Sequence, residues 1–195
     1  MTAPPILTSE QRTALLALAR SAILECVCRA RSVNPISLDP ALHAPGAAFV
    51  TLTRRGELRG CIGYVEAIKP LAEAVAHCAV SAATADPRFL PVTADELPDL
   101  RIEISVLSPL RRVDQPDHIR VGDHGLYISQ GGRRGLLLPQ VATEFGWDRE
   151  TFLRQTCLKA GLPGDAWRRG AEIRVFTVDH FTESAPAEPP SPDLP

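Results

Sequence analysis

Several absences narrow what this chain can be. No segment approaches the roughly 20 consecutive apolar residues of a membrane span. The start of the chain lacks a charged stretch followed by a long apolar one, so no secretory signal is expected. No charge of one sign dominates: 21 Lys and Arg stand against 23 Asp and Glu, for a formal net charge of −2. That balance argues against a strong non-specific grip on nucleic acid or an anionic membrane. The five cysteines follow no framework spacing, which reads as free thiols in a cytoplasmic chain rather than disulfides. A chain of 195 residues needs no such staples, since it buries roughly 70% of its unfolded surface on folding.

Familiar catalytic signatures are missing too. Gly131-Gly132-Arg133-Arg134-Gly135 lacks the Lys-Ser/Thr end of a phosphate-binding loop, and no G-x-G-x-x-G opens a helix. There is no H-E-x-x-H, no paired C-x-x-C and no G-x-S-x-G. The three-cysteine cluster of a radical iron–sulfur centre is absent. No metal site and no cofactor are expected in this chain. Cys26 and Cys28 diverge on a helix and cannot chelate one ion.

What is present centres on Leu58-Arg59-Gly60-Cys61-Ile62-Gly63. Residues 49–53 read as a strand, 54–57 as a tight turn, and this hexapeptide as the returning strand of a hairpin. Alternation along a strand places Arg59 and Cys61 on one face, with Leu58 and Ile62 on the other. A cation beside a thiol favours the thiolate, the nucleophilic form. Gly60 and Gly63 leave the cysteine unshielded and admit a backbone or a ligand at close range. The same residues also fit a buried cysteine, with glycines that mark only a bulge in the strand. Both readings stay open on sequence.

The remaining elements read as follows. A capping box of Thr8 and Gln11 opens a helix to about residue 31, with Leu15, Leu16, Ala19, Ala22, Ile23, Cys26 and Val27 on its apolar stripe. Residues 34–46 form a loop. Pro70 starts a second helix to about residue 85, whose alanine-rich stripe includes Cys78 and implies close packing on a sheet. Asp86-Pro87-Arg88-Phe89 ends it. Residues 101–107 alternate, with Arg101, Glu103 and Ser105 opposite Ile102, Ile104 and Val106. Residues 125–130 and 135–138 are two strands around the turn 131–134. A short helix spans 140–145, and a longer one begins at the N-cap Asp148, bearing Phe152, Leu153, Cys157 and Ala160. Residues 172–178 form the last strand. From residue 183 the composition turns proline-rich, with five prolines in 184–195, the signature of a disordered tail. Hairpins without repeated crossovers predict an α+β fold with a mixed, mostly antiparallel sheet flanked by helices.

Other polar candidates are His77, Asp86, Arg88, Glu103, Ser105 and His124. Asp86 and Arg88 fit a structural cap at a helix end. His124 fits a turn residue or a proton-transfer group.

Taken in order, Ala48-Phe49-Val50-Thr51-Leu52, the LRGCIG hexapeptide, Ala85-Asp86-Pro87-Arg88-Phe89, Ile104-Ser105-Val106-Leu107-Ser108, His124-Gly125-Leu126, residues 135–141, Lys159-Ala160-Gly161-Leu162 and Trp167 resemble the AMMECR-one domain family, in particular its bacterial members from the AmmeMemoRadiSam system. The likeness covers about residues 7–182. Asp123 stands where the pattern has a basic residue, which speaks against an anion site in that loop. The resemblance implies a larger and a smaller lobe within residues 1–182. It also implies partnership with a Memo-type protein resembling an extradiol dioxygenase and with a radical S-adenosylmethionine (SAM) enzyme, which would carry the radical cofactor. It implies no established reaction. Sequence therefore leaves three functional readings. In the first, Cys61 is a nucleophile or acyl carrier, Arg59 favours its thiolate, and Asp86, Arg88 and Glu103 orient a substrate or partner. In the second, LRGCIG is a binding or packing element of a non-catalytic adaptor. Nucleic-acid binding is the third, disfavoured by the net charge.

Overall fold

The computed structural model describes residues 7–29 and 39–183. The expected helix end at residue 31, much of the 34–46 loop and the tail from 184 lie outside these residues. Helix α1 (Ser9–Arg29) opens on the expected capping box. The Thr8 N–H donates to Gln11 Oε1 at 3.0 Å, and the Gln11 N–H to Thr8 Oγ1 at 3.2 Å. Its buried stripe is Leu15, Leu18, Ala19, Ala22 and Ile23. Leu16 and Cys26 are only half-buried, because this stripe is narrow and stops at Ile23.

Strands β1 (Ala47–Arg54) and β2 (Glu57–Gly63) form the expected hairpin. They turn through Arg55 and Gly56, both at positive φ (54° and 84°), the geometry that matches the twist of paired strands. Strand β3 (Leu100–Leu107) pairs with β1 on its other side, and β8 (Val178–Thr182) pairs with β3, giving the order β2-β1-β3-β8. One face of this sheet is apolar: Val50, Leu52, Ile102, Ile104 and Phe181 pack under α1 and under α2 (Leu71–Thr84). The buried alanines of α2 let it lie close to the sheet.

The second lobe contains β4 (Arg111–Arg112), β5 (Gly125–Gln130), β6 (Arg133–Leu137) and β7 (Glu172–Phe176), ordered β4-β7-β5-β6. Short helix α3 (Pro139–Glu144) and helix α4 (Arg149–Lys159) follow β6. Phe152, Leu153 and Cys157 of α4 pack on Leu126, Ile128, Ile173 and Val175. Arg133 and Arg134 belong to β6 rather than to the turn, because Gly131 and Gly132 alone make the bend.

The segment expected as one last strand ending at residue 178 runs on to Thr182 as two strands. It breaks at Thr177, with β7 in the second sheet and β8 in the first. The chain also passes between lobes after β3, and the two crossings are tied together: the Ser108 N–H donates to the Thr177 carbonyl at 3.0 Å, and the Thr177 N–H to Ser108 Oγ at 2.9 Å. Ala47, Phe49 and Leu107 of the first sheet meet Tyr127, Leu136 and Phe176 of the second in a separate apolar cluster. All strand pairings among the described residues are antiparallel. No described helix is long and apolar enough to cross a membrane.

Candidate functional site

The face of the first sheet turned away from α1 and α2 is polar. Register sets its layout. Cys61 of β2 opposes Thr51 of β1, which opposes Glu103 of β3, which opposes Thr182 of β8. The next row is Gly63, Phe49, Ser105 and His180. Strand spacing puts the Cys61 and Glu103 backbones about 10 Å apart. Cys61 is half-buried and accepts a hydrogen bond from the Thr51 hydroxyl at 3.3 Å. Ser105 Oγ lies 3.2 Å from His180 Nδ1, and Glu103 lies 3.9 Å from His180 Nε2.

Arg59 does not share this face. The pairing shifts between Leu52 and Thr53, leaving Arg59 as the extra residue of a β-bulge. Leu58 thereby joins Cys61 on the open face, and Arg59 turns toward the helix side. There its guanidinium grips Glu96 with two bonds of 2.9 Å and donates to the Leu90 carbonyl. Glu96 also receives Arg54 and the Thr93 N–H. Arg59, foremost, and Thr93 hold the Glu96 carboxyl down at about 2. The thiolate-favouring role expected of Arg59 therefore has no geometric basis. Glu96 was not among the sequence candidates, although Thr93-x-x-Glu96 has capping-box spacing.

Asp86 and Arg88 do reach Cys61, through its backbone. β2 is an edge strand, so the Cys61 amide groups point out of the sheet. Asp86 is buried and accepts the Cys61 N–H at 2.8 Å, while Arg88 reaches the Cys61 carbonyl at 3.5 Å. The two side chains pair at 2.6 Å. Arg88 chiefly, with the Cys61 N–H, holds the Asp86 carboxyl far below its usual range. The pair occupies the edge where another strand would otherwise add.

The two glycines are tightly enclosed. A Cβ on Gly60 would stand 2.1 Å from the Ala82 carbonyl of α2, and one on Gly63 would stand 2.2 Å from the Phe49 ring. His77 bonds the Tyr64 hydroxyl at 3.0 Å. His124 is buried in the second lobe, where its Nδ1 accepts the Arg120 N–H at 3.2 Å. Burial, then Arg120 and Arg111, lower its pKa. His124 fills the turn role and does not join the Cys61 constellation.

Two groups, one on this face and one near it, escaped the sequence reading. His180 lay beyond the expected end of the last strand, yet the alternation of residues 178–182 marks it. Lys159, at the end of α4, comes within electrostatic reach of Cys61 and Arg88. Its side chain is exposed, and partial desolvation lowers its pKa, with Cys61 acting to raise it and Arg88 to lower it. Lobe docking alone creates this approach, so no spacing signals it. No group of three or more potential metal ligands occurs among the described residues.

A family model described as AMMECR1 matches residues 16–181. A protein of the archaeon Methanothermobacter thermautotrophicus is 48% identical over 179 residues, spanning 88% of this chain and 92% of that protein. One from Thermofilum pendens is 44% identical over 198 residues, spanning 92% and 93%. The crystal structure of an uncharacterized protein from Pyrococcus horikoshii superposes with a TM-score of 0.88 at 40% identity, covering 94% of this chain and 96% of that one.

Proposed function

The chain belongs to the AMMECR1 family, and we propose that within it this protein is the thiol component of a cytoplasmic modification pathway, with Cys61 as nucleophile or acyl carrier. The observation that carries this reading is the setting of the Cys61 thiol. It lies half-buried among polar side chains of the sheet face, with a hydroxyl donor at 3.3 Å and a lysine within electrostatic reach. Cys78 and Cys157 give the contrast: both are fully buried in apolar cores, and burial pushes the Cys78 thiol up to about 12. In the proposed step, the Lys159 ammonium stabilises the Cys61 thiolate, whose proton passes to solvent. Cys61 Sγ bonds to the electrophilic carbon of an activated acyl donor, and the leaving group departs with its electron pair and takes a proton from solvent. A Memo-type protein and a radical SAM enzyme are the proposed source or destination of the carried group.

The tight enclosure of Gly60 and Gly63 favours a second reading, in which LRGCIG serves packing in an adaptor. Rate-resolved alkylation with mass-spectrometric mapping separates the two. Cys61 is expected to label well ahead of Cys78 and Cys157, and Lys159→Ala to slow Cys61 several-fold while leaving exposed Cys28 unchanged. Labelling of Cys61 no faster than Cys157, or indifferent to Lys159, overturns the nucleophile reading in favour of the adaptor.

A further inference from the structure

We propose that the cavity between the edge strands of the two sheets is the substrate pocket of Cys61 and that it takes an organic anion with a flat or branched apolar body. This inference rests on the nucleophile reading above and names its substrate class. The cavity measures about 310 Å³ and is walled by Tyr64, Val65, Tyr127 and Leu136, a size and lining suited to a small molecule. Gly63, which also lines it, lies on the same strand face as Cys61, two residues along, or about 7 Å. Ile68 stands at its rim 64% exposed, an apolar side chain that an occupant would cover.

The charge at the cavity points to an anion. Arg134 lines it and makes no ion pair or side-chain hydrogen bond among the described residues. Its neighbour Gly135 packs against Ala160, which places the Lys159 turn beside it. Lys69 lies 5.6 Å from the centre of the Tyr64 ring. Glu66 is the one carboxylate lining the cavity, and it pairs with none of these cations within 4 Å. An unengaged guanidinium at the mouth of an apolar cavity suits a terminal carboxylate or phosphate, which its planar fork binds through two parallel bonds. An electrophilic centre in the body of such a ligand would then lie toward Cys61.

The test uses the full chain and three probes: 4-phenylbutyrate, phenyl phosphate and neutral benzyl alcohol. Binding is followed by ligand-observed NMR, and Cys61 alkylation is timed in parallel. Both anions are expected to bind more tightly than benzyl alcohol and to protect Cys61. The tighter of the two identifies the anionic group. Arg134→Gln, at an exposed position, is expected to weaken anion binding about tenfold. Arg133→Gln, whose guanidinium instead donates to the Gly161 carbonyl at 2.7 Å, is expected to leave it unchanged. Equal binding of the neutral probe, or indifference to Arg134, overturns the anion assignment. Binding without protection of Cys61 overturns the link between pocket and thiol. Neither result touches the Lys159 effect on Cys61 alkylation, which stands or falls separately.

Discussion

The two lobes use the same device at their shared cleft and furnish it differently. Each has a hairpin whose second strand is a sheet edge, β2 in one and β6 in the other. Each edge strand carries a glycine pressed against a helix backbone: Gly60 on Ala82, and Gly135 on Ala160. The first lobe adds a thiol beside its glycine and closes the strand edge with Asp86 and Arg88. The second adds Arg134 on the strand and Lys159 on the facing helix. The contrast teaches that close helix packing positions both strands, while the chemistry is divided. One lobe brings the thiol, and the other brings Arg134 and Lys159, neither of which pairs with a carboxylate among the described residues. Neither edge alone makes the cleft.

The largest expected effect comes from filling the glycines. Gly60→Val places a side chain where the nearest neighbour, at 2.1 Å, is a backbone carbonyl. We expect a loss of about 3 kcal/mol, the upper part of the range for overpacking, read as a drop in Tm of roughly 6–12 °C for a chain of this size. Gly135→Val meets the backbone of Ala160 at 2.5 Å, at the C-cap of α4, where the chain yields more easily. A smaller drop is expected. Equal or reversed losses would show that the two glycines are not held in the same way.

The next effect separates the lobes by pH. Asp86 and Glu96, both in the first lobe, have depressed folded pKa values. Their stabilisation is fully present above their ordinary values near 4 and is lost as pH falls further, through about 2 for Glu96. His124, in the second lobe, is also depressed, but as a base that burial keeps neutral. Its contribution is present above its ordinary 6.5 and declines as pH falls below that. Between pH 6.5 and 5, amide protection is therefore expected to weaken in β5, next to His124, while β2 holds. Below about pH 4, β2 is expected to follow. Hydrogen exchange corrected for intrinsic rates reads both. Loss in β2 first, or in both strands together, would break the contrast.

Most of the fold was legible because its signals are local. The Thr8–Gln11 box, the β1–β2 turn and the alternation of β3 each depend on residues near in sequence. The split of the last strand at Thr177 was not legible, because bonds to Ser108, 69 residues away, decide it. The site divides in the same way. The hexapeptide drew attention to Cys61, and alternation put Glu103 and Ser105 on one face, which register joins to Cys61. Arg59 was misplaced because a bulge shifts alternation by one residue, and the glycines that hint at a bulge do not fix where it falls. Lys159 was missed because only docking of the lobes brings it near.

The smallest expected effect tests that correction. Arg59 holds Glu96 through two bonds, and both side chains are largely buried, at 16% and 11% exposure. Arg59→Lys keeps the charge but loses the planar fork, since an ammonium cannot reproduce both parallel bonds. We expect a loss of about 1 kcal/mol, the typical value of one hydrogen bond, moderated by the retained charge, or a few degrees in Tm. Arg54 and Thr93 still hold Glu96, so the lobe should fold. Cys61 alkylation is expected to stay at the wild-type rate, because the Arg59 guanidinium is committed on the helix side of the sheet. Lys159→Ala, by contrast, is expected to slow Cys61 while barely moving Tm. If Arg59→Lys slows Cys61 as much as Lys159→Ala does, the thiol takes its electrostatics from its own strand, and the division of labour between the lobes fails.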